Sequence, residues 1–266
     1  MLKSLSYQPN HISKNSTGKA WFGHIPFAHW LISVLRPGIF VELGTHHGAS
    51  YFSFCDSVVH HNLSTQCHAV DSWQGDAQAG LYGNSVFEEV CDINNKKYSQ
   101  FSSLHRCMFD DALDYFEDSS IDLLHIDGFH SFEAVSHDYA TWLPKLSQNA
   151  VILFHDTQVF KEGFGVNQLW SAIRSQNPAS CFEFVHSFGL GIFCLGDVEN
   201  IYGKFASKEI SEEEFRVLFE IAGNEIIRQN EVPQPKTVTP NEVVALVKQL
   251  ASQSIAYKKE IIKIVA

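Results

Sequence analysis

Apolar positions along the chain change period in a regular way. Phe27, Trp30, Leu31, Val34 and Leu35 recur at i, i+3, i+4, i+7 and i+8, the spacing of one helix face. Pro26 suits the first turn of that helix, and Arg36-Pro37-Gly38 ends it. From residue 38 onward short apolar runs alternate with longer mixed ones. The short runs predict strands over Ile39–Leu43, Gln66–Val70, Leu104–Cys107, Ile121–Ile126 and Ala150–Phe154. Between and after them the pattern predicts helices over Ala49–His60, Val86–Lys97, Asp110–Phe116, Phe132–Leu146 and Val166–Ser175. Phe182–His186 and Leu190–Leu195 then read as strands joined at Phe188-Gly189. Five β-α repeats closed by a hairpin predict an α/β fold, with a doubly wound, mostly parallel sheet and an antiparallel end.

The two ends of the chain differ from this middle. Residues 1–20 are polar and weakly patterned, which predicts a flexible lead-in, with the main domain over 21–200. Residues 201–266 predict a helical extension or connector. Within it, 207–229 form an amphipathic helix that Ser211 can cap, with Glu212, Glu213 and Glu214 in its first turn. Glu231-Val-Pro-Gln-Pro-Lys reads as a linker. A second helix follows from Thr239, basic and amphipathic at its end. It suits packing on its own domain, a homo-oligomer contact or a connector in a longer multidomain protein.

Composition narrows the class. The 266 residues are 45% hydrophobic and include 21 Phe, enough for a large core. The net charge of −11 argues against nucleic acid and anionic membrane as main partners. No run reaches the ~20 apolar residues of a transmembrane span, and no apolar signal core follows Lys3. The six cysteines are scattered without zinc or redox spacing, so buried reduced thiols in a cytoplasmic protein are expected.

The chemistry gathers at the ends of the expected strands, where open α/β sheets bind ligands. Phe40-Val-Glu-Leu-Gly-Thr-His-His-Gly-Ala-Ser50 is a strand, a glycine turn and a helix start, a place for a nucleotide-like ligand. Gly44 and Gly48 lack the G-x-G-x-x-G pattern of dinucleotide binding. Glu42 beside them would repel a pyrophosphate but suits a cationic amino group. That combination points to S-adenosylmethionine (SAM) over NAD or ATP. Asp71, at the end of the next strand, can accept both hydroxyls of a ribose. Ser72 and Trp73 follow it, and Trp73 can stack on adenine or line an acceptor cleft. Asp127 and His130 after the fourth strand lie beside His155 and Asp156 after the fifth. Two carboxylates and two imidazoles can hold a divalent metal that lowers the pKa of an acceptor hydroxyl. Alternatively, His130 or His155 serves as general base.

Several separated motifs carry a resemblance. Val41-Glu-Leu-Gly-Thr-His-His-Gly-Ala-Ser50, Ala69-Val-Asp-Ser-Trp-Gln-Gly-Asp76, Ile121–Val135, Thr141-Trp-Leu-Pro-Lys-Leu146 and Phe154-His-Asp-Thr157 resemble the class I SAM-dependent methyltransferases of the methyltransferase 24 group. Phe164–Trp170 and His186–Gly191 resemble a branch found beside, or fused to, bacterial glycosyltransferases. The resemblance spans roughly residues 20–197. It implies a seven-stranded sheet of order 3-2-1-4-5-7-6. It also implies SAM held by Glu42, Gly44, Thr45, Gly48, Ser50, Asp71, Ser72, Trp73, Phe109 and Asp127. Related sugar O-methyltransferases carry a divalent metal, Mg²⁺ or Mn²⁺ here, which maps onto Asp127, His155 and Asp156. His155 stands where an acid is common. Cys107-Met108-Phe109 stands where a polar adenine contact is common, so apolar packing or Asp110 or Asp111 would replace that contact. The implied activity is O-methylation of a sugar hydroxyl in a bacterial surface polysaccharide or glycosylated product, with a glycan acceptor and a glycosyltransferase domain or partner. Catalysis would fall to Asp127, His130 and His155. The rival readings are a NAD-dependent oxidoreductase on a similar fold and a non-catalytic docking module of a glycan-assembly protein.

Overall fold

The structure is a computed structural model that describes residues 7, 19–76, 78, 80–196 and 211–230. Seven strands form one sheet: β1 (Ile39–Leu43), β2 (Gln66–Asp71), β3 (Ser102–Arg106), β4 (Ile121–Ile126), β5 (Leu146–His155), β6 (Cys181–Phe184) and β7 (Leu190–Cys194). Their spatial order is β3-β2-β1-β4-β5-β7-β6. The sheet is mixed. The five strands from β3 to β5 are parallel, whereas β7 pairs antiparallel with both β5 and β6. The reversal follows from the short Phe188-Gly189 turn, which can only join antiparallel neighbours.

The helices are α1 (Lys19–Phe22), α2 (Ile25–Leu35), α3 (Ala49–His60), α4 (Asn84–Lys97), α5 (Phe109–Ala112), α6 (Phe132–Trp142), α7 (Val166–Gln176) and α8 (Glu212–Asn230). Because side chains alternate across a strand, the sheet feeds two cores. Phe40, Ala69, Leu123, Val151 and Leu153 pack with the aromatics of α2, α3 and α8. Val41, Leu43, Leu124, Ile152 and Phe154 pack with Val135, Trp142, Leu169 and Trp170 of α6 and α7. Both faces are covered, so the central strands are mostly apolar and do not alternate, with the Glu42–His125 pair buried between β1 and β4.

Several boundaries move. The expected helix Asp110–Phe116 is one α-turn, α5, followed by a 3₁₀ turn at Leu113–Tyr115. Helix α6 stops at Trp142 because Pro144 sits in a 3₁₀ turn, Leu143–Lys145. The expected loop Ser72–Asn84 contains a two-stranded ribbon, Gly75–Asp76 with Gly80–Leu81. The described residues up to Arg228 belong to one compact unit. Within it α8 opens with a reciprocal cap: Ser211 N donates to Glu214 Oε2 (2.7 Å) and Glu214 N donates to Ser211 Oγ (3.2 Å). Phe215 of α8 packs edge-on against Trp30 of α2. Of the expected lead-in, Tyr7 is buried, stacked 3.6 Å from His29. The linker after Glu231 and the helix expected from Thr239 lie outside the described residues. Among the described residues, no helix is long and apolar enough to cross a membrane.

Candidate active site

The carboxyl ends of β1, β2, β4 and β5 meet at a cavity of about 380 Å³. One wall is the glycine turn after β1. Gly44 has φ +86°, and a Cβ there would lie 2.1 Å from the carbonyl oxygen of Asp127, so the turn rests directly on the backbone leaving β4. Asp71, at the end of β2, clamps the same turn. Its Oδ2 accepts from Thr45 N and His46 N at 2.8 Å each, and its Oδ1 accepts from Trp73 N at 2.6 Å. Each oxygen can accept more than one bond, so Oδ1 can also receive a ligand hydroxyl. Gly44, Thr45, Ser50, Asp71, Ser72, Phe109 and Asp127 all line the cavity.

Three residues expected at the ligand sit elsewhere. Trp73 is fully buried; its ring N–H donates to His46 O (2.8 Å) and its ring packs on Phe87, so it props the turn from beneath and is not a stacking surface. Gly48 starts α3 in the left-handed region (φ +76°), a conformation that needs glycine, and does not line the cavity. Glu42 is also fully buried and outside the lining. Its Oε2 lies 2.8 Å from Nδ1 of His125 on β4, while Oε1 has no hydrogen-bond partner. Burial pushes the Glu42 carboxyl up, and His125 opposes that. Neither expected substitute for the adenine contact serves: Asp110 is exposed and paired with His137 at 2.9 Å, and Asp111 is exposed; neither lines the cavity, which Cys107, Met108 and Phe109 do.

Across the cavity stand the acids and imidazoles. Asp127, His130 and Asp156 present donor atoms within 4.8 Å of one another. His130 Nε2 is 2.8 Å from Asp156 Oδ2 and 3.6 Å from Asp127 Oδ1. His155 approaches the same pair from deeper in the fold, its Nδ1 3.4 Å from Asp127 and 3.2 Å from Asp156. Asp156 has φ +63°, a sparsely populated conformation that turns its carboxylate into the cluster. Burial pushes both histidines down, but Asp127 and Asp156 outweigh it and lift His130 to about 9 and His155 to about 10. Burial likewise pushes the two aspartates up, and His155 with its neighbours holds both below the ordinary carboxylate value.

Gln78, in the loop after β2, is a partner that strand-end reasoning overlooks. Its Oε1 accepts from His130 N (3.0 Å) and faces His130 Nδ1 (2.9 Å), and its Nε2 donates to Gly163 O (2.9 Å). Nδ1 of His130 therefore carries a proton. Nε2, facing Asp156, then needs a second proton or a cation between them, because a bare lone pair would repel a carboxylate. Trp21 also lines the cavity, from the lead-in helix α1. No sequence signal points to either residue, since neither sits at a strand end.

An uncharacterized protein, y4gI, of Sinorhizobium fredii is 47% identical over 183 residues, which are 69% of this chain and 20% of that protein. The chain thus spans about a fifth of the length of the curated relative it matches. Two solved structures share the fold at TM-score 0.50. The O-methyltransferase TomG of Streptomyces achromogenes, involved in tomaymycin synthesis and solved with SAM, is 12% identical, over 74% of this chain and 95% of its own. The SAH-bound methyltransferase PaMTH1 of Podospora anserina is 14% identical, over 65% of this chain and 78% of its own. At such identities the likeness concerns the fold alone. Residues 41–157, which hold the glycine turn, Asp71 and the whole acid–histidine cluster, match the family model described as a methyltransferase domain.

Proposed function

We propose that this chain is a SAM-dependent O-methyltransferase that acts on a sugar hydroxyl with the help of a divalent metal. The observation that carries the reading is the pairing, across one cavity, of the Asp71-clamped glycine turn with the Asp127/His130/Asp156 cluster. The turn fits the donor: Gly44 and Thr45 line the cavity, Asp71 Oδ1 offers a ribose a further lone pair, and Cys107, Met108 and Phe109 give an adenine an apolar wall. The cluster fits a divalent cation, because two carboxylates and the Nε2 of His130 converge and His130 is already oriented by Gln78. When bound, SAM supplies an electrophilic methyl group and the metal lowers the pKa of an acceptor hydroxyl.

The chain's own residues do the rest. Asp127, His130 and Asp156 fix the acceptor oxygen; His155 balances the two carboxylates from the protein side. His130 has its Nδ1 proton committed to Gln78, and an Nε2 lone pair given to the metal is no longer free to act as base, which favours the metal over His130 as the activating group. Among the described residues lining the cavity there is no Lys or Arg, which disfavours a phosphorylated or CoA-bound acceptor. Phe129 and Phe188 line it as partly or largely exposed aromatic side chains, flat surfaces suited to the C–H faces of a pyranose. The match to a stretch forming a fifth of a longer relative fits a module that works beside other domains.

Calorimetry with S-adenosylhomocysteine, followed by methyl transfer to a panel of glycosides, tests the reading. Asp156→Asn and His130→Ala should abolish turnover while keeping affinity for S-adenosylhomocysteine, and EDTA should do the same until Mg²⁺ or Mn²⁺ is restored. Binding of NAD in place of S-adenosylhomocysteine would sink the donor assignment. Full activity in EDTA would sink the metal.

A further inference from the structure

We propose that His29, His60 and His61 form a second metal site, one that takes a late first-row divalent ion such as Zn²⁺, Ni²⁺ or Co²⁺. The three imidazoles present ligand nitrogens within 4.8 Å of one another. His29 lies on α2, His60 is the last residue of α3 and His61 its C-cap. The rings crowd together, with centroids 4.7 Å apart for His29–His60, 4.4 Å for His29–His61 and 4.9 Å for His60–His61. None of the three lines the catalytic cavity. The twelve residues of α3, at ~1.5 Å each, put about 18 Å between the glycine turn and this cluster.

Hydrogen bonding prepares the ligands. Ser57 Oγ spends its proton on Ser53 O (2.7 Å), so it can only accept from His29 Nδ1, 3.2 Å away. That fixes the His29 tautomer with the proton on Nδ1 and a lone pair on Nε2, and supplies the outer-shell support typical of metal-bound imidazoles. Tyr7 stacks flat on His29, 3.6 Å between centroids, and holds the ring from its apolar side. His61 Nε2 is buried with no hydrogen-bond partner, a polar atom that a metal would satisfy. His60 is exposed and His61 half-buried, so both can turn toward a shared ion. With metal–nitrogen bonds of about 2.0–2.1 Å, tetrahedral ligands stand roughly 3.4 Å apart, a contraction that side-chain rotation supplies. Three nitrogens with no carboxylate select imidazole-loving ions and reject Mg²⁺. The solvent-facing side leaves a fourth position open for water.

The test uses the full chain titrated with CoCl₂, read by the visible absorption of four-coordinate Co²⁺, with MgCl₂ in excess. The Asp127→Asn/Asp156→Asn chain, which lacks the cavity cluster, should still bind one equivalent. Adding His60→Ala/His61→Ala should weaken that binding at least about 100-fold, and Ser57→Ala by about tenfold. Zn²⁺ should displace the Co²⁺ and raise the Tm only where His60 and His61 are present. Unchanged Co²⁺ affinity in the His60→Ala/His61→Ala chain, or no saturable Co²⁺ binding with the histidines intact, overturns the proposal. Should the aspartate background fail to fold, the otherwise native chain decides: loss of one bound equivalent on His60→Ala/His61→Ala supports the site, and no loss refutes it.

Discussion

Gly44→Ala is the most informative single change, because the cost can be divided in advance. Two penalties apply at this position. Gly44 has φ +86°, and an alanine held in the left-handed region costs about 1–2 kcal/mol. Its new Cβ would also stand 2.1 Å from the carbonyl oxygen of Asp127 and 2.6 Å from its carbonyl carbon. Both atoms are backbone, so no side chain can swing away; the glycine turn and the β4 turn must separate, at a further cost of about 1–3 kcal/mol. Gly80 is the control. Its φ is +85°, but a Cβ there would meet nothing within 4 Å, so Gly80→Ala carries the strain alone. At about 2–4 °C per kcal/mol for a domain of this size, Gly44→Ala should lower Tm by roughly 4–20 °C and Gly80→Ala by less than half of that, roughly 2–8 °C. The separation also widens the gap between the donor wall and the acid–histidine wall. S-adenosylhomocysteine affinity should therefore fall about tenfold or more with Gly44→Ala, and hold with Gly80→Ala. Scanning calorimetry and titration calorimetry read both quantities. Equal behaviour of the two variants would refute the idea that the glycine is required by contact with Asp127.

Two further expectations concern pH. Burial raises Asp138 to about 7, with His137 opposing and Asp110 adding to it; stability is thus fully present below about pH 4 and lost as pH rises through about 7, on the order of 4 kcal/mol. Asp138→Asn should remove that slope in denaturant titrations between about pH 4 and 8, and an unchanged slope would contradict the assignment. In chelated protein, His130 and His155, raised to about 9 and 10, contribute stability that is complete below about pH 6.5 and lost as pH climbs through those values. Melting curves from about pH 6 to 10 should fall accordingly, and flatten in His130→Gln/His155→Gln; metal affinity should rise over the same range, since the ion replaces protons.

Much of this was legible in the sequence because periodicity and strand-end position are local. The runs that became β1, β2, β4 and β5 are mostly apolar, and the residues at or just after their ends, Gly44, Asp71, Asp127 and His155 with Asp156, line the cavity. What stayed hidden depends on contacts between distant residues. Trp73 follows Asp71 and reads as a ligand surface, yet its ring N–H is claimed by His46 O, 27 positions away in sequence. Gln78 sits in a loop whose pattern says nothing of His130. Ser102–Arg106 reads poorly as a strand because β3 is an edge strand of mixed polar character. The His29/His60/His61 group joins two helices, α2 and α3, whose separate periodic patterns carry no sign that their histidines meet.

Glu42 shows most directly how the two halves of the site are held together. A carboxylate beside a glycine turn suggests direct contact with a cationic ligand, but Glu42 points into the fold and meets His125 on the neighbouring strand. The register pairs the two residues directly, Glu42 with His125, one step before Leu43 and Ile126 deliver the chain to Gly44 and Asp127. The pair is fully buried, so removing one partner leaves the other with an unsatisfied polar atom, at a cost of about 1–3 kcal/mol. Glu42→Ala should therefore act on the donor and on the acceptor cluster at once, by loosening the strands that carry both. Asp71 differs, because its three hydrogen bonds all serve the glycine turn and its own loop. Asp71→Ala should weaken S-adenosylhomocysteine while leaving metal affinity intact, whereas Glu42→Ala should weaken both. Metal affinity unchanged in Glu42→Ala would show that the buried pair stabilises the fold without setting the distance between the two walls.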